Sequence, residues 1–335
     1  MKKILFFRPM YYMGGTEIAI LSLIKNLKGY DIYIGYTDDT SSVDLLNQYS
    51  AYAKVSKLSE IEDIEYDSLI ICTPYKSVWD MITNIKRKNT YLWFHHFGDR
   101  GASIFHDERT YTQLDKIIVV SETVKNIMLR QKYGERIKDK IYVIYNILNV
   151  NEIINKSKIP IGLELSKTLN LVTVSRLCLE KGFKRILKLA NALKDNNVDF
   201  KWFVIGGNYY KDVEGKIKDM FKDLDKYFVF YGFLDNPYNI IRQCDYLVLL
   251  SDNETWGLAL TEAKILNVPC IVTDFEVAYE QIVDEKTGII ISRSERDNYQ
   301  DKVDIILNKK EELKNNLNNF QFSNLTTLIR WKSIL

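Results

Sequence analysis

The sequence predicts an α/β protein composed of two doubly wound domains, each with a parallel sheet between layers of helices. Short apolar runs alternate with amphipathic stretches along nearly the whole chain, a pattern typical of repeated strand–helix units. The 335 residues exceed the length of an ordinary single domain. The pattern loosens over residues 151–169, which contain Pro160 and Gly162, so we interpret this stretch as a linker between domains 1–150 and 170–323.

The composition excludes several classes of protein. Hydrophobic residues make up 46% of the chain, which is enough to fill two cores and excludes a disordered protein. The 46 Lys and Arg residues nearly balance the 44 Asp and Glu residues, so the basic excess of a nucleic-acid-binding protein is missing. The four cysteines lie far apart in apolar segments and form no C-x-x-C pair. We interpret them as reduced core residues, not as disulfides or zinc ligands.

The amino-terminal residues, MKKILFF, resemble the start of a signal peptide. Arg8 and Pro9 interrupt the apolar run after four residues, and no small-residue cleavage site follows, so we predict a first strand instead. No apolar stretch approaches the roughly 18 residues that indicate a membrane-spanning helix. The expected location is therefore the cytoplasm.

The amino-terminal half contains the first series of predicted strands. They are Lys3–Phe7, Asp31–Gly35, Ser68–Cys72, Thr90–His95, Lys116–Val120 and Ile141–Tyr145. Amphipathic stretches between them predict helices, of which Thr16–Leu27 has the clearest period. The final residues, 324–335, are also predicted to form a helix.

The second series of strands follows the predicted linker. They are Asn170–Ser175, Phe200–Ile205, Tyr227–Tyr231, Tyr246–Leu250, Cys270–Thr273 and Gly288–Ile291. Helices are predicted at Lys184–Lys194 and Leu258–Asn267. Two doubly wound domains in tandem leave a cleft between their facing strand ends, and ligands of such sheets bind beyond the carboxyl ends of the strands. We therefore expect the catalytic residues to lie at this cleft.

The segment Leu249–Pro269 is the most informative stretch of the sequence. A buried strand ends, a polar loop carries Glu254, and a helix that starts after Gly257 carries Glu262. The opening amides and the positive end of the dipole of that helix suit a phosphate group. Seven residues separate the two glutamates, so one carboxylate can meet a sugar while the other meets a ribose. The alternative is a capping box formed by Ser251 and Glu254, with an exposed helix glutamate at position 262.

Two cations follow the first strand of the second series. Arg176 and Lys181 flank a loop in the stretch TVSRLCLEKG. Cations at this spacing after a strand can converge on one diphosphate. The alternative is that both are solvated loop charges, which is the commoner case for an arbitrary pair.

These motifs resemble a known family. The stretches VSRLCLEKGF, YGFLDNPY and SDNETWGLALTEA, in this order and spacing, resemble the carboxyl-terminal domain of GT-B-fold retaining glycosyltransferases of the family 4 type (glycosyl transferases group 1). GGTE at Gly14–Glu17, WFHHFG at Trp93–Gly98 and DKIIVVS at Asp115–Ser121 extend the resemblance over most of the chain. It implies two Rossmann-like domains facing across a cleft. The first would bind the acceptor and be completed by the helix at 324–335, and the second would bind a nucleotide sugar.

The resemblance also implies roles for single residues. Arg176 and Lys181 would hold the donor diphosphate and neutralise the charge that grows on the leaving group. Glu262 would bind the ribose diol, and Glu254 the hydroxyls of the transferred sugar. The nucleobase would lie against the backbone near Phe233. The remaining donor contacts in the second domain would come from Thr255, Trp256, Gly257 and Leu258.

In the first domain the resemblance points to a glycine pair and a histidine. Gly14 and Gly15 would let the backbone approach the donor phosphate or the acceptor, since a Cβ would obstruct it; the alternative is an ordinary flexible loop. Histidine is scarce, with only three in the chain, and a pair ends the strand YLWFHH. His95 matches the family's catalytic position near the sugar if the W-x-H spacing is the guide, and His96 is its competitor.

No metal or other cofactor is expected. The single D-x-D, Asp223–Asp225, lies in a charged, helix-like stretch and reads as a solvated face, so Arg176, Lys181 and the helix terminus would replace Mg²⁺. Residues 125–140 carry six cations against two acids, and Lys86–Lys88 add a second cluster. These clusters can be interpreted as a peripheral contact with the inner face of a membrane or as solvated helix faces.

The sequence therefore predicts a retaining glycosyltransferase, with UDP as the expected nucleotide of a hexose-type donor. The acceptor would be a glycan or a lipid-linked glycan of cell-envelope polysaccharide synthesis. A GT-B nucleotide-sugar epimerase is one alternative. A non-catalytic sugar-nucleotide-binding partner of another transferase is the other, and the presence of Arg176, Lys181, Glu254 and Glu262 argues against it.

Overall fold

A computed structural model describes residues 1–95, 113–207, 213–294 and 296–335. The chain divides into two units, Met1–Leu148 together with Ser323–Leu335, and Asn149–Phe322.

The first unit contains a parallel sheet of seven strands among its described residues, in the order β3-β2-β1-β4-β5-β6-β7. The strands are β1 Lys2–Phe7, β2 Tyr30–Tyr36, β3 Lys54–Lys57, β4 Tyr66–Ile71, β5 Arg87–Phe94, β6 Lys116–Val119 and β7 Ile141–Val143. The central strands are near-continuous apolar runs because helices cover both faces of a doubly wound sheet. Ile4–Phe7, for example, has no exposed residue.

The helices of the first unit follow the strands in the expected alternation. Among the described residues they are α1 Gly15–Asn26, α2 Val43–Ser50, α3 Ser77–Met81, α4 Glu122–Leu129, α5 Gly134–Ile137 and the C-terminal helix Leu325–Ile334, with 3₁₀ turns at Leu58–Glu60 and Lys138–Lys140. The predicted C-terminal helix is confirmed. The hydroxyl of Tyr91 and the ammonium of Lys116 both donate to its Ile334 carbonyl, at 2.8 and 3.0 Å.

The second unit contains a parallel sheet of six strands in its described part, in the order β10-β9-β8-β11-β12-β13. The strands are β8 Leu169–Val174, β9 Phe200–Ile205, β10 Phe228–Gly232, β11 Tyr246–Leu249, β12 Cys270–Thr273 and β13 Gly288–Ile291. The helices are α6 Val150–Ser157, α7 Phe183–Asp195, α8 Val213–Met220, α9 Tyr238–Ile241, α10 Leu258–Ile265, α11 Ala278–Gln281 and α12 Val303–Leu317, with 3₁₀ turns at Leu179–Lys181, Lys222–Tyr227 and Gln300–Lys302. Trp202, Phe183 and Tyr246 are fully buried members of the core between them.

Two elements differ from the sequence prediction. Strand β3 was not predicted, because KVSK is a short edge strand whose residues remain partly exposed and it contains no apolar run. The first residues of the predicted linker belong to helix α6. The prediction of a linker without regular structure is therefore wrong for those residues. Asn149 caps this helix by accepting from the Glu152 amide at 3.1 Å, and Ile153 is buried on its inner face.

Two smaller predictions, which concern the cysteines and the D-x-D, are confirmed. All four cysteines are buried and free. Asp223 and Asp225 lie exposed in a 3₁₀ turn, as expected of a solvated face. Among the described residues, no helix combines the length and the apolar character needed to cross a bilayer.

Candidate active site

The candidate site of the second unit lies where strands β8 and β11 end. These two strands are neighbours in the sheet, so the loops that follow them start at the same edge. The loop after β8 carries Arg176 and Lys181, and the loop after β11 carries Glu254. Residues distant in sequence thus come together because of strand order.

Gly182 allows the close approach of these two loops. It has a φ of +75°, and a Cβ built on it would lie 1.8 Å from the Leu250 carbonyl oxygen. Any other residue would push the turn that carries Lys181 away from the end of β11. Gly182 also stands at the N-cap of helix α7, so α7 begins directly against that strand.

Lys181 and Glu254 form an ion pair between the two loops. The Lys181 Nζ lies 2.6 Å from Glu254 Oε1, with side chains that are 16% and 13% exposed. The Ser251 hydroxyl donates to the same oxygen at 2.7 Å. Helix α10 begins only at Leu258, with Gly257 at its N-cap and no side-chain cap. Ser251 and Glu254 therefore do not form a capping box.

Helix α10 places Glu262 in the interior of the second unit. Its residue is only 5% exposed, so the alternative of an exposed helix glutamate is also wrong. Burial raises the pKa of Glu262 to about 7, although a hydrogen bond from the Tyr238 hydroxyl at 3.1 Å partly opposes that rise. The pKa of Tyr238 is raised in turn, first by burial and then by the neighbouring Glu262 carboxylate.

Two glycines shape the edge formed by β9 and β10. Gly206 has a φ of +156°, and a Cβ there would lie 1.7 Å from the Ser175 carbonyl oxygen. The Leu177 amide donates to Gly207 O at 3.0 Å, so the Arg176 loop runs alongside these glycines. A Cβ on Gly207 would contact Phe233, whose side chain is half exposed. Phe233 and Arg176 thus border the same stretch of backbone.

Trp256 is fixed by hydrogen bonds that the sequence did not predict. Its indole N–H donates to Thr261 Oγ1 at 3.0 Å, and its carbonyl accepts from the Gln281 amide. Thr261 and Gln281 also bond to each other at 3.0 Å. Thr255 and Gly257 flank Trp256, and Leu258 is the first residue of α10, so these four predicted donor-binding residues run from the loop into the start of the helix.

Sequence reasoning missed two contact residues of the predicted glutamates. Tyr238 is the last residue of the motif YGFLDNPY, and its place in that motif was the only indication in the sequence that it belongs to the site. Ser251 was noticed solely as a possible helix cap. Neither partnership is visible in the sequence, because Tyr238 and Glu262 are 24 positions apart, and the direction of the Ser251 hydroxyl depends on the loop.

The remaining predicted site residues belong to the first unit. Gly14 has extended backbone angles (φ −167°), which any residue can adopt, so its requirement is spatial: a Cβ would lie 2.9 Å from Glu17 Oε2. Gly15 is the first residue of α1. His95 is buried, and its ring centroid lies 4.4 Å from that of Trp93. His96 lies outside the described residues, so the choice between the two histidines stays a prediction.

The predicted basic clusters are partly neutralised by carboxylates. Lys86 pairs with Asp63, Lys88 with Asp67 and Lys138 with Glu135, at 2.7 to 3.3 Å. Within residues 1–95, 113–207, 213–294 and 296–335, no three His, Cys, Asp or Glu side chains cluster in a way that could hold a metal ion.

Comparisons with known proteins identify the domain that contains this site. Residues 155–321, which lie within the second unit, match the family described as "Glycosyl transferases group 1". The chain is 26% identical over 202 residues to an uncharacterized glycosyltransferase, MJ1178, of Methanocaldococcus jannaschii. That match covers 60% of this chain and 52% of the relative, so the chain spans about half the length of this curated relative.

Solved structures show the fold of the whole chain. Anabaena Alr3699/HepE in complex with UDP and glucose superposes with a TM-score of 0.80 at 18% identity, covering 100% of this chain and 99% of that one. The apo lipopolysaccharide outer core galactosyltransferase WaaB superposes with a TM-score of 0.66 at 18% identity, covering 99% and 100%. The two parallel sheets and these neighbours show the GT-B fold, which confirms the predicted fold class.

Proposed function

We propose that this chain is a retaining glycosyltransferase that moves a hexose-type sugar from UDP to a glycan or lipid-linked acceptor in cell-envelope polysaccharide synthesis. The observation that carries the proposal is the Lys181–Glu254 ion pair, which joins two of the family-like motifs at the ends of adjacent strands. The group 1 domain supports it. Further support comes from two structural neighbours, one determined with UDP and glucose and one named for lipopolysaccharide.

In this proposal the two cations act on the donor diphosphate. As the bond to the sugar breaks, negative charge grows on the leaving UDP, and Lys181 and Arg176 stabilise it without a metal ion. Lys181 is already held by Glu254 and does not need to be recruited from solvent. The backbone amides and the positive end of the dipole at the start of α10 add to this electropositive edge.

The two glutamates have different tasks in the proposed complex. Glu262 accepts hydrogen bonds from the ribose hydroxyls, a contact that donor, transition state and free UDP all make. Glu254 orients the transferred sugar, which free UDP lacks. Its carboxylate is already bound by Lys181 and Ser251, which favours an orienting role over that of a nucleophile. Retention then follows from attack of the acceptor on the face that the UDP leaves.

The proposed contribution of the first unit is acceptor binding. Gly14 and Gly15 present bare backbone after β1, and His95 lies at the end of β5, where it would face the sugar or the acceptor. A peripheral contact of the basic clusters with the inner face of a membrane stays a prediction; three of their cations, Lys86, Lys88 and Lys138, have carboxylate partners.

The proposal is tested by ligand binding followed by turnover. Thermal unfolding with a panel of nucleotides should single out UDP, since a ligand at about 100 times its dissociation constant adds about 2.7 kcal/mol of stability. UDP-sugars with glycan acceptors should then release UDP. Stabilisation by no nucleoside diphosphate contradicts the proposal. An epimerised sugar formed without acceptor identifies the epimerase, and binding with no turnover identifies the non-catalytic partner.

A further inference from the structure

Asp252 lies in the loop after β11, two residues before Glu254, and three of its polar groups have partners. Its side chain is half exposed, yet its carboxylate binds the guanidinium of Arg185. Its amide donates to Glu180 O at 2.8 Å, and its carbonyl accepts from Arg293 Nη1 at 2.9 Å. A half-exposed loop residue therefore connects three separate segments of the second unit.

The first connection leads to helix α7. Arg185 is only 8% exposed, and its Nε donates to the Leu250 carbonyl at 2.8 Å. A buried guanidinium is unfavourable unless its charge and its donors have partners. Asp252 supplies the negative charge and Leu250 a second acceptor, so both residues are fixed against the start of α7.

The second connection leads to the turn that carries Lys181. Glu180, whose carbonyl accepts from the Asp252 amide, immediately precedes Lys181 in the chain. The Lys181–Glu254 ion pair and this backbone bond thus join the same two loops at neighbouring positions. The Asp252 carboxylate, by binding Arg185, holds this loop in place for both the backbone bond and the ion pair.

The third connection leads to the loops that follow strands β12 and β13. Arg293 follows β13, and both its amide and its Nε bind Asp274 Oδ1, at 2.9 and 3.0 Å. Asp274 follows β12. The loop of Asp252 is therefore held from the β12 and β13 edge as well as from α7.

We infer that Asp252 is a positioning residue that holds Glu254 and Lys181 in the geometry for sugar transfer without contacting the substrate. The inference rests on the proposed function, because it assigns Asp252 to that same reaction. Asp252 acts through the loop: its three partners fix the backbone from which Glu254 and its ion pair project. The arrangement predicts a defect in turnover with little change in the binding of free UDP.

The test compares Asp252→Asn and Asp252→Ala with a matched control, Glu214→Gln, which breaks the Glu214–Lys218 ion pair on α8 of the same unit. Because small misplacements of reacting groups are costly, kcat should fall roughly tenfold in both Asp252 variants. The dissociation constant of UDP should change by less than about threefold, which is small beside the roughly tenfold loss in turnover. The control should leave both quantities unchanged. A kcat of Asp252→Ala within about twofold of the unmodified protein would overturn the inference.

A double variant separates positioning from general destabilisation. If Asp252 acts through Glu254, then adding Asp252→Asn to Glu254→Gln should lower kcat little further, since residues that act as a unit are not additive. An additional loss equal to that of the single variant would show that Asp252 merely supports the fold, and would contradict the inference.

Hydrogen exchange supplies a readout that does not depend on activity. Amides of residues 249–258 should exchange faster in Asp252→Ala than in the unmodified protein, and should be unchanged in Glu214→Gln. Unchanged exchange in Asp252→Ala overturns the positioning role even if no sugar donor is found. Conversely, an unmodified protein that neither binds UDP nor turns over any donor refutes the proposed function, while the exchange comparison still decides whether Asp252 holds the loop.

Discussion

Each of the two units has an ion pair of low exposure beyond its strand ends, and the two pairs differ in what they join. Lys181 and Glu254 are 73 residues apart in sequence, and their side chains are 16% and 13% exposed. Arg8 and Glu17 are nine residues apart within one strand–helix turn, and their side chains are 18% and 5% exposed. The first pair connects two loops, whereas the second closes a single loop on itself.

The surroundings of the two pairs indicate different roles. The Glu17 carboxylate lies close to Gly14, and the Glu17 backbone carbonyl accepts from the buried Tyr49 hydroxyl at 3.0 Å. The Arg8–Glu17 pair therefore fixes the shape of the turn. The Lys181–Glu254 pair lies beside the N-cap of α10 and the turn that contains Trp256. A long-range pair at adjacent strand ends is suited to ligand binding, and a local pair under a turn is suited to stability.

The largest effect is expected from Lys181→Ala. Removal of the ammonium should lower kcat/KM roughly 10³-fold, about 4 kcal/mol, because a charge-assisted partner of the leaving diphosphate is lost. Arg176→Ala should act in the same direction. Steady-state kinetics on purified variants provide the measurement, and near-normal kcat/KM in both would show that neither cation acts on the diphosphate.

A smaller effect of a different kind is expected from Glu17→Gln. Loss of one partner from a largely buried ion pair should lower the free energy of unfolding by about 3 kcal/mol. Affinity for UDP should stay unchanged, because the pair shapes the turn and does not bind the donor. Urea denaturation and UDP titration test both statements. Unchanged stability combined with lost UDP binding would reverse the roles assigned to the two pairs.

Glu262 should make stability depend on pH. Burial raises the pKa of Glu262 to about 7 from a usual 4.5. Its contribution is therefore fully favourable below pH 4.5 and is lost as pH rises through 7, where the buried carboxyl ionises. Relative to the unmodified protein, Glu262→Gln should be more stable by about 2 kcal/mol at pH 8.5, and by less than about 0.5 kcal/mol at pH 4.5.

Urea denaturation at both pH values measures that difference. Glu214→Gln serves as the control, since its carboxylate is partly exposed and pairs with Lys218 on the helix surface. A difference between Glu262→Gln and the unmodified protein that is the same at both pH values would show that the Glu262 carboxyl is not held neutral by burial.

The smallest effect is expected from metal removal. If Arg176, Lys181 and the α10 terminus neutralise the diphosphate, transfer in excess EDTA should stay within about threefold of transfer with Mg²⁺. Activity that disappears in EDTA and returns with Mg²⁺ would contradict the assignment of the diphosphate to these cations.

The sequence predicted the fold more completely than the contacts. Strands such as Phe200–Ile205 are continuous apolar runs, so their period and length identify them. Strand β3 and helix α6 were not predicted, because each is short and partly exposed. Their structure depends on the elements that pack beside them. The GT-B fold was predicted from the order of the motifs along the chain, and it is confirmed. The strand order of the second unit then brings these motifs together at neighbouring strand ends.

Side-chain partners depend on tertiary packing that a sequence pattern does not reveal. The alternative of an exposed Glu262 stayed open because LALTEAKI has no clear amphipathic period, and the burial of Glu262 depends on packing with the rest of the unit. The Arg185–Asp252 contact joins residues 67 apart that belong to different motifs. The role of Gly182, by contrast, matches a simple rule, since a turn with positive φ against a strand end requires glycine.

The most direct test of the central claim is a calorimetric titration of UDP into Glu254→Gln and Glu262→Gln, alongside their turnover. Glu262→Gln should weaken UDP binding roughly tenfold and raise the donor KM, with a smaller effect on kcat, because its ribose contact is present in every bound state. Glu254→Gln should leave UDP affinity within about twofold and lower kcat roughly 10²-fold, because a misoriented sugar loses its alignment. If Glu254→Gln loses UDP binding as severely as Glu262→Gln, or if neither variant affects transfer, the division of roles between the two glutamates is wrong.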